Sequence, residues 1–340
     1  MILFRVDANE TIATGHLMRC MTIAKKLIDN GMEVLFCLAE KKFTDRLDNY
    51  NIPYIILNTD WKKMEEELPV LNKIINREKP EWIVVDSYQV TKKYLQDLNK
   101  MCRVFYYDDL CKEAYDIDTT MFPYRWGSEQ YKEAYKNMKT NNLIGLKYLP
   151  IRDEFYPQEH LGKNILITTG GTDTYNISGK IIEKAYESDT LRQYHFDIVV
   201  GKMNANIKEL EDMASDSKMS VGLHIDVNNM GELMRNSCCM VTAGGTTAYE
   251  VCACQIPAVC FAFADNQVEF VDNLGRDNIM MSVGDVRKGV DSAVDMIIKH
   301  LEQLIGDDEL RDVLRKNMSG MIDGKGSSRI CEYLSHINEE

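Results

Sequence analysis

Short apolar runs alternate with longer amphipathic stretches along the first hundred residues. Five runs predict β-strands, at residues 2–6, 34–38, 54–57, 82–85 and 103–107. Between the first two runs, Leu17, Met21, Ala24 and Leu27 recur at helical spacing, and Gly31 follows where a helix commonly ends. Strands separated by helices of this length predict βαβ units and therefore a parallel sheet.

The same alternation starts again at Asn164. Strands are predicted at residues 165–168, 197–200, 221–225, 240–242 and 258–261, with helices at about 176–189, 205–215, 229–236 and 245–254. Residues 109–150 are less regular, with one exposed helix near 129–139. Pro150, Pro157 and Gly162 cluster between the two series, which is typical of a domain boundary. We therefore expect domains over residues 1–155 and 160–325, followed by an amphipathic helix within 326–340.

Composition and charge narrow the class of protein. A chain of 340 residues with 45% hydrophobic and 27% charged residues suits two ordinary globular domains. The net charge of −13 argues against a nucleic-acid partner. No apolar run approaches the roughly 18 residues of a membrane span, and no signal peptide is evident. The ten cysteines show no zinc-binding spacing, so we expect reduced thiols and a cytoplasmic location. Nothing in the sequence requires an oligomer.

The first candidate constellation follows the first predicted strand. Asp7 directly follows that strand, and Gly15, His16 and Arg19 open the next helix. In an open parallel sheet, ligands bind beyond the carboxyl ends of the strands. Gly15 lets the backbone approach a ligand closely, while His16 and Arg19 share a helix face. A histidine here can serve as a general base, although a histidine that only packs between helices is an equally good interpretation.

Two glycine-rich turns follow strands in the second half. The first turn offers Gly170, Gly171, Thr172 and Asp173, and the second offers Gly244, Gly245, Thr246, Thr247 and Glu250. Amides in such turns can hold phosphate, and Thr246 or Thr247 can cap the following helix. Each turn can also be an ordinary strand-to-helix connection. The turns match neither the P-loop nor the GxGxxG pattern, so no nicotinamide cofactor is expected.

Three further groups lie where predicted strands end, and one of them is Tyr107, Asp108 and Asp109 after the fifth strand. Asp86 and Tyr88 follow the fourth strand, where Asp86 can orient His16, and Asn266 and Gln267 suit sugar hydroxyls or an N-acetyl group. A strand-ending carboxylate and a packed tyrosine are the alternative interpretation of the first pair. No metal site is predicted.

Taken together, these motifs resemble one family. They are FRVDANETIATGHLMRC, VVDSYQVT, YYDDL, GLKYLPIRDEF, ILITTGGTD and TAGGTTAYEVCACQIPAVCFAFADNQ, in this order along nearly the whole chain. The pattern is similar to the PseG/SpsG family, whose reference activity is hydrolysis of UDP-2,4-diacetamido-2,4,6-trideoxy-β-L-altropyranose in pseudaminic acid biosynthesis.

The resemblance implies a glycosyltransferase type B (GT-B) fold, similar to that of MurG. Such an α/β fold has two Rossmann-like domains with parallel sheets facing a cleft, UDP on the second domain, and a last helix that crosses back to the first. It also implies that His16 activates a water, that Glu250 binds ribose, and that Tyr88 and Asn266 contact substrate. Uracil would meet the backbone near Ile225. The partner is then a UDP-sugar, and neither a metal nor a cofactor is required.

Two positions depart from the family pattern. Ala13 stands where the family usually has glycine, and Ser87 stands where it often has histidine. These changes leave a second reading open, a glycosyltransferase that passes the sugar to an acceptor. A nucleotide-sugar-binding protein without catalysis is a third reading, which the presence of His16 and Glu250 disfavours.

Overall fold

The computed structural model describes residues 1–157, 162–202, 204–216 and 220–336. The chain divides into two compact units, Met1–Arg152 with Gly324–Glu340, and Asp153–Asp323, called unit 1 and unit 2 below. Residues 158–161, at the expected boundary, and 337–340, the end of the expected terminal helix, lie outside the described residues.

Unit 1 is built on a parallel sheet, described with seven strands in the order β3-β2-β1-β4-β5-β6-β7. Its strands are β1 Ile2–Val6, β2 Val34–Leu38, β3 Tyr54–Ile56, β4 Trp82–Asp86, β5 Arg103–Tyr107, β6 Thr119–Phe122 and β7 Asn141–Ile144. Strands β1, β2 and β4 are buried at every residue. This explains their continuous apolar runs, because helices cover both faces of such a sheet.

The connecting segments of unit 1 are mostly helical. The helices are α1 Gly15–Asp29, α2 Asp45–Asp48, α3 Leu68–Glu78, α4 Lys92–Asn99 and α5 Ser128–Tyr135. The end of α1 follows the sequence prediction. Gly31 has a φ of 77° and its amide donates to the Ile28 carbonyl at 2.8 Å. Glycine adopts this left-handed conformation without the steric cost of a side chain.

Strands β6 and β7 were not expected, and the view of residues 109–150 as irregular was wrong in this respect. Their sequences, TTMF and NNLI, are half polar and therefore lack the apolar run that marks the central strands. The polar side chains pair inside the unit, since the Thr120 hydroxyl donates to Asn142 Oδ1 at 2.7 Å. Paired in this way, polar residues can be buried in a strand at little cost.

Unit 2 repeats the architecture with a parallel sheet, described in the order β10-β9-β8-β11-β12-β13. Its strands are β8 Asn164–Thr168, β9 His195–Val200, β10 Ser220–Ile225, β11 Ser237–Ala243, β12 Ala258–Ala262 and β13 Met281–Asp285. Its helices are α6 Ile177–Glu187, α7 Ile207–Ser215, α8 Met230–Arg235, α9 Thr246–Cys254, α10 Asp265–Arg276, α11 Val290–Gly306 and α12 Asp308–Met318. Two parallel-sheet α/β domains, as the sequence predicted, are confirmed.

The last helix, α13 Gly326–His336, belongs to unit 1 and packs against α1. Ile330, Cys331 and Leu334 of this helix join the apolar core on one face of the unit 1 sheet. The Tyr333 hydroxyl lies 2.7 Å from the Thr119 hydroxyl of β6. Among the described residues, no helix combines the length and the apolar character that crossing a membrane requires.

Candidate active site

His16 and Asp86 meet at the carboxyl edge of the unit 1 sheet. His16 is the second residue of α1, which follows β1, and Asp86 ends the adjacent strand β4. His16 Nδ1 lies 2.5 Å from Asp86 Oδ1, and both residues are buried. An ionised carboxylate only accepts hydrogen bonds, so the Nδ1 nitrogen donates. Nε2 of the neutral ring is then left with the lone pair that a general base needs.

Arg19 lies one turn after His16 and holds the other side of Asp86. Its Nε donates to Asp86 Oδ2 at 2.6 Å, and one terminal nitrogen donates to Asp86 Oδ1 at 2.5 Å. The predicted common helix face of His16 and Arg19 is therefore present. The guanidinium also lies over the Tyr107 ring, 3.7 Å from its centroid.

Charge keeps Asp86 ionised in spite of its burial. Burial alone would raise the pKa of Asp86, but Arg19 and His16 outweigh that effect and hold the pKa well below its usual range. Burial likewise opposes the charge on Arg19, while Asp109 and Asp86 raise its pKa well above the usual value. Asp86 is thus a fixed negative charge beside the imidazole and would stabilise a protonated His16.

Asp109 and Tyr124 complete this cluster; the sequence marked Asp109 only as a strand-end carboxylate and did not mark Tyr124. Asp109 accepts from two guanidinium nitrogens of Arg19, at 3.0 and 2.7 Å, and from the Tyr124 hydroxyl. Asp109 follows β5, the sheet neighbour of β4, so its strand-end position was a usable signal. Tyr124 follows β6, and because that strand was not predicted, no sequence signal placed Tyr124 here.

The cluster has the side chains of a metal site but is organised around a guanidinium. Ligand atoms of His16, Asp86 and Asp109 lie within 4.8 Å of one another. Arg19 donates to both carboxylates and therefore supplies the positive charge that a metal ion would bring. The donor set is consistent with an acid–base site that uses Arg19 in place of a metal ion.

Tyr88 and Ser87 lie beside His16 with different environments. The Tyr88 ring contacts His16 edge to face, with centroids 4.4 Å apart. Burial, together with the charge of Asp109, raises the pKa of the Tyr88 hydroxyl, which therefore stays protonated. The Ser87 hydroxyl accepts from the Gln89 amide at 3.1 Å. Ser87 thus stabilises its own turn.

Asp7 and Gly15 have separate surroundings in the loop that precedes α1. Both Asp7 oxygens have partners, because Oδ2 accepts from Arg5 at 2.6 Å and Oδ1 from the Ala39 amide at 2.8 Å. Arg5 also bonds Glu67, so Asp7 belongs to a buried ionic network apart from the His16 cluster. Gly15 has open space on its side-chain side. Ala13 has a φ of 57°, a conformation that glycine adopts more readily.

The first glycine turn of unit 2 joins β8 to α6. A side chain at Gly171 would meet no atom within 4 Å, so the backbone is approachable there. Gly201, after β9, packs against Gly171 so closely that a Cβ on it would lie 2.7 Å from the Gly171 carbonyl. Asp173 is committed to the fold, because its carboxylate accepts from the amides of Ile177 and Ser178 at 2.8 and 2.9 Å. Thr172 contacts Thr174 at 3.4 Å through hydroxyl groups.

The second glycine turn joins β11 to α9. The expectation that Thr246 or Thr247 caps the helix was wrong, because α9 begins at Thr246 and its N-cap is Gly245, with extended backbone. The threonines are instead the first two helical residues, whose amides point out of the helix end. The described first turn carries no acidic side chain that would repel an anion. Glu250 lies one turn later and is half-buried.

Asn266 and Gln267 open α10, beside this turn. The Gln267 side chain accepts from the Phe263 amide at 2.9 Å, whereas Asn266 is exposed. A Cβ on Gly244 would lie 3.5 Å from Gln267, and one on Gly170 would lie 3.9 Å from the Phe263 ring. Strands β8, β11 and β12 are adjacent, so the three predicted groups meet at one sheet edge.

Ile225 stands apart from those three groups. It ends β10, the outermost strand, which is separated from β8 by β9. Two strand spacings amount to roughly 10 Å. Ile225 is 42% exposed, so the residue is accessible to a ligand.

Three curated relatives are similar to this chain, whereas no family model matches it. An uncharacterized protein of Methanocaldococcus jannaschii is 23% identical over 78% of this chain and 56% of its own length. The UDP-2,4-diacetamido-2,4,6-trideoxy-beta-L-altropyranose hydrolase of Campylobacter jejuni is 26% identical over 76% of this chain and 91% of its own length. The spore coat polysaccharide biosynthesis protein SpsG of Bacillus subtilis is 21% identical over 52% of this chain and 51% of its own length. The chain therefore spans just over half the length of two of them.

Solved structures share the fold at low identity. MurG of Acinetobacter baumannii superposes with a TM-score of 0.67 at 12% identity, covering 98% of this chain and 99% of MurG. The S. aureus protein MnaA, in a co-structure with UDP, gives 0.69 at 15% identity, covering 98% and 95%. The spinosyn rhamnosyltransferase SpnG, in complex with thymidine diphosphate, gives 0.69 at 13%, covering 98% and 100%. These likenesses confirm the GT-B fold class, and the relatives confirm the resemblance to PseG and SpsG.

Proposed function

We propose that this chain hydrolyses a UDP-linked 2,4-diacetamido-trideoxyhexose to the free sugar and UDP. His16 Nε2 takes a proton from water, and the water oxygen bonds to the anomeric carbon. The bond from that carbon to the UDP oxygen breaks, and UDP leaves with the bonding electrons. The product would serve the synthesis of a pseudaminic acid-type sugar for a surface polysaccharide or glycan.

One observation carries the proposal, the contact between His16 Nδ1 and Asp86 Oδ1 at 2.5 Å. It fixes the tautomer that a base toward water requires and places a negative charge where the imidazolium forms. Arg19 and the two aspartates hold these partners in place, because Arg19 donates to both Asp86 and Asp109. A histidine that only fills a gap between helices would need neither feature.

Unit 2 is proposed to hold UDP. The amides of Thr246 and Thr247 at the start of α9, together with the open backbone at Gly171, would bind the diphosphate. The same donors would stabilise the charge that develops on the leaving group. The Glu250 carboxylate would accept from ribose hydroxyls. A co-structure of MnaA with UDP, on the same fold, supports this role.

The relatives support an enzyme that processes a nucleotide sugar. The similarity to the Campylobacter hydrolase extends over 91% of that protein, which favours hydrolysis and the diacetamido sugar. The similarity to SpsG supports a role in polysaccharide synthesis.

The second candidate is a glycosyltransferase on the same scaffold. The likeness to the rhamnosyltransferase SpnG over 98% of this chain favours it. In a transferase, His16 would take the proton from an acceptor hydroxyl instead of water. The bond from the anomeric carbon to the UDP oxygen would break in both reactions. The two functions differ only in which oxygen replaces UDP.

The experiment that decides between them measures UDP release from a panel of UDP-2,4-diacetamido-2,4,6-trideoxyhexoses without any acceptor. We expect free sugar and UDP in equal amounts. Repeating the reaction in oxygen-18 water locates the attack, since label appearing in UDP would mean attack at phosphorus and contradict the mechanism. Clear UDP binding by calorimetry without any release would favour the transferase.

A further inference from the structure

A second cluster of metal-ligand side chains lies at the edge of the unit 2 sheet, on strands β9 and β10. His224 Nε2 lies 2.6 Å from Asp197 Oδ1, and His195 Nε2 lies 3.3 Å from the same oxygen. All three side chains stand on one face of the strands, because residues 195, 197 and 224 share the sheet's alternation. This cluster has no part in the proposed hydrolysis.

The strand opposite Asp197 leaves room at the centre of the cluster. Gly222 is the partner of Asp197 in the register. A Cβ on Gly222 would lie 3.0 Å from Asp197 Oδ1, 3.2 Å from His195 Nε2 and 3.3 Å from His224 Nε2. Three ligand atoms therefore surround a space that any residue other than glycine would fill.

Neighbouring side chains orient two of the three groups. Asn164 donates to the other oxygen of Asp197 at 2.7 Å, and His195 Nδ1 lies 2.8 Å from the Ser220 hydroxyl. Metal-binding histidines and carboxylates are commonly held in this way through their second polar atom. These contacts direct His195 Nε2 and Asp197 Oδ1 toward the centre.

We infer that His195, Asp197 and His224 form a binding site for a divalent transition-metal ion, with Zn²⁺ as the expected occupant. Two imidazole nitrogens, one carboxylate oxygen and a water suit a tetrahedral zinc ion, whose ligands lie roughly 3.3 Å from one another. Both imidazole–carboxylate distances are at or below this value, whereas the two imidazole nitrogens lie more than 4.8 Å apart and have to approach each other when the ion binds. The rings are about one-third exposed, so they can rotate toward a bound ion. The ion would tie edge strand β10 to β9 and stabilise unit 2.

The test titrates the chelator-treated full chain with Zn²⁺ by calorimetry and follows unfolding with and without the ion. We expect one site and a higher melting temperature, because an ion that binds only the folded state stabilises it. Co²⁺ should give the visible absorption of a tetrahedral complex. Both His224→Ala and Gly222→Ala should lower the affinity for Zn²⁺ at least tenfold. The second substitution leaves every ligand in place and acts by filling the space between them.

Three matched variants separate this site from the other candidates. His300→Ala, on surface helix α11, should leave the affinity unchanged. The inference would be overturned if His224→Ala and Gly222→Ala bound Zn²⁺ normally while His16→Ala or Cys238→Ser bound it more weakly. That result would place the ion elsewhere. The absence of any saturable Zn²⁺ binding would overturn it as well.

Discussion

The tautomer of His16 follows from the shorter of two contacts at Nδ1, 2.5 Å to the Asp86 oxygen against 3.0 Å to an Arg19 nitrogen. Arg19 in turn keeps that carboxylate ionised, and Asp109 balances Arg19. Each side chain in this chain of contacts is buried or nearly so, which makes the pairs stronger than surface ion pairs but costly to break singly. The effect of a substitution at this scale therefore depends on the partners that it leaves behind.

Replacing His16 by alanine should remove turnover and leave nucleotide binding intact. Loss of a general base typically costs about 10²–10⁴-fold in kcat, while the proposed UDP contacts lie in unit 2. Steady-state kinetics and UDP calorimetry check this, with His300→Ala as the control. Asp86→Asn should lower kcat as well, because an amide no longer favours the Nδ1 proton. Full activity in His16→Ala would exclude the mechanism.

Ala13→Gly should stabilise the chain. Ala13 has a φ of 57°, where a Cβ costs about 1 kcal/mol. We expect a gain of about 0.5–1 kcal/mol in the free energy of unfolding, measured by denaturant titration. Ala134→Gly, in the exposed part of helix α5, should lose a similar amount. An equal loss of unfolding free energy in Ala13→Gly and Ala134→Gly would show that the loop conformation at Ala13 is not strained.

Alkylation of Cys238 should begin at a lower pH than that of an ordinary thiol. The adjacent Cys239 thiol, whose sulfur lies 4.0 Å from that of Cys238, outweighs burial and lowers the pKa of Cys238 to about 7. The reactive thiolate is therefore half formed near neutral pH and disappears as the pH falls below that value. Mass spectrometry of iodoacetamide-treated protein across a pH series measures this, with Cys238→Ser as the blank. A midpoint near pH 9 would contradict the expectation.

At the scale of elements, the same strand–turn–helix unit serves two purposes in unit 2. The turn after β11 is held by its first glycine, because the Gly244 amide donates to the Phe261 carbonyl at 2.8 Å. The second glycine, Gly245, leaves the start of α9 open. One glycine thus supports packing and its neighbour supports access.

Substitution of the two glycines should separate stability from binding. A Cβ on Gly244 would lie 2.3 Å from Val271, so Gly244→Ala should cost about 1–3 kcal/mol of unfolding free energy. A Cβ on Gly245 meets no atom within 4 Å, so Gly245→Ala should stay within about 0.5 kcal/mol of the parent. Its methyl would occupy this open space at the start of α9, so we expect it to weaken UDP binding roughly tenfold, or about 1.4 kcal/mol. Denaturant titration and calorimetry measure both; unchanged UDP affinity in Gly245→Ala would count against the diphosphate site.

At the scale of the whole molecule, the chain leaves unit 1 at residue 152 and returns to it at residue 324. Helix α13 then packs on α1, the helix that begins beside His16. Unit 1 therefore depends on both ends of the chain, whereas unit 2 is formed from one continuous segment. A substitution that destabilises α13 should consequently lower the activity that depends on His16 and leave UDP binding by unit 2 unchanged.

Leu334→Ala tests this division. Leu334 is fully buried in the unit 1 core, so its truncation should cost about 2–5 kcal/mol. We expect Leu334→Ala to unfold at a lower temperature and to be less active at elevated temperature, with its UDP affinity unchanged. Val313→Ala, at a position on α12 that is 49% exposed, is the matched control. A loss of UDP affinity equal to the loss of activity would show that the two units are not separable in this way.

The sequence by itself determined the central strands and helices of both sheets and the edge of each sheet at which polar groups collect. Apolar runs such as 2–6 and 82–85 are buried on both faces, so their pattern is strong enough to predict strands without a partner. Gly31 and the two glycine turns have local conformational causes and were equally visible. His16 and Asp86 could be chosen because parallel strands place their carboxyl ends together.

Only the tertiary structure decided which polar groups meet. Strands β6 and β7 are stabilised by pairing between residues distant in sequence, and the contact of Thr120 with Asn142 is one example. Asp7 directly follows β1 and Asp86 ends β4, so the two have similar positions in the sequence pattern. Arg5 nevertheless binds Asp7, whereas His16 and Arg19 bind Asp86. The Zn²⁺ site inferred at Asp197 depends on the register that places Gly222 opposite it. Local pattern fixes where a side chain can point, whereas hydrogen bonding and charge balance between distant segments determine its partner.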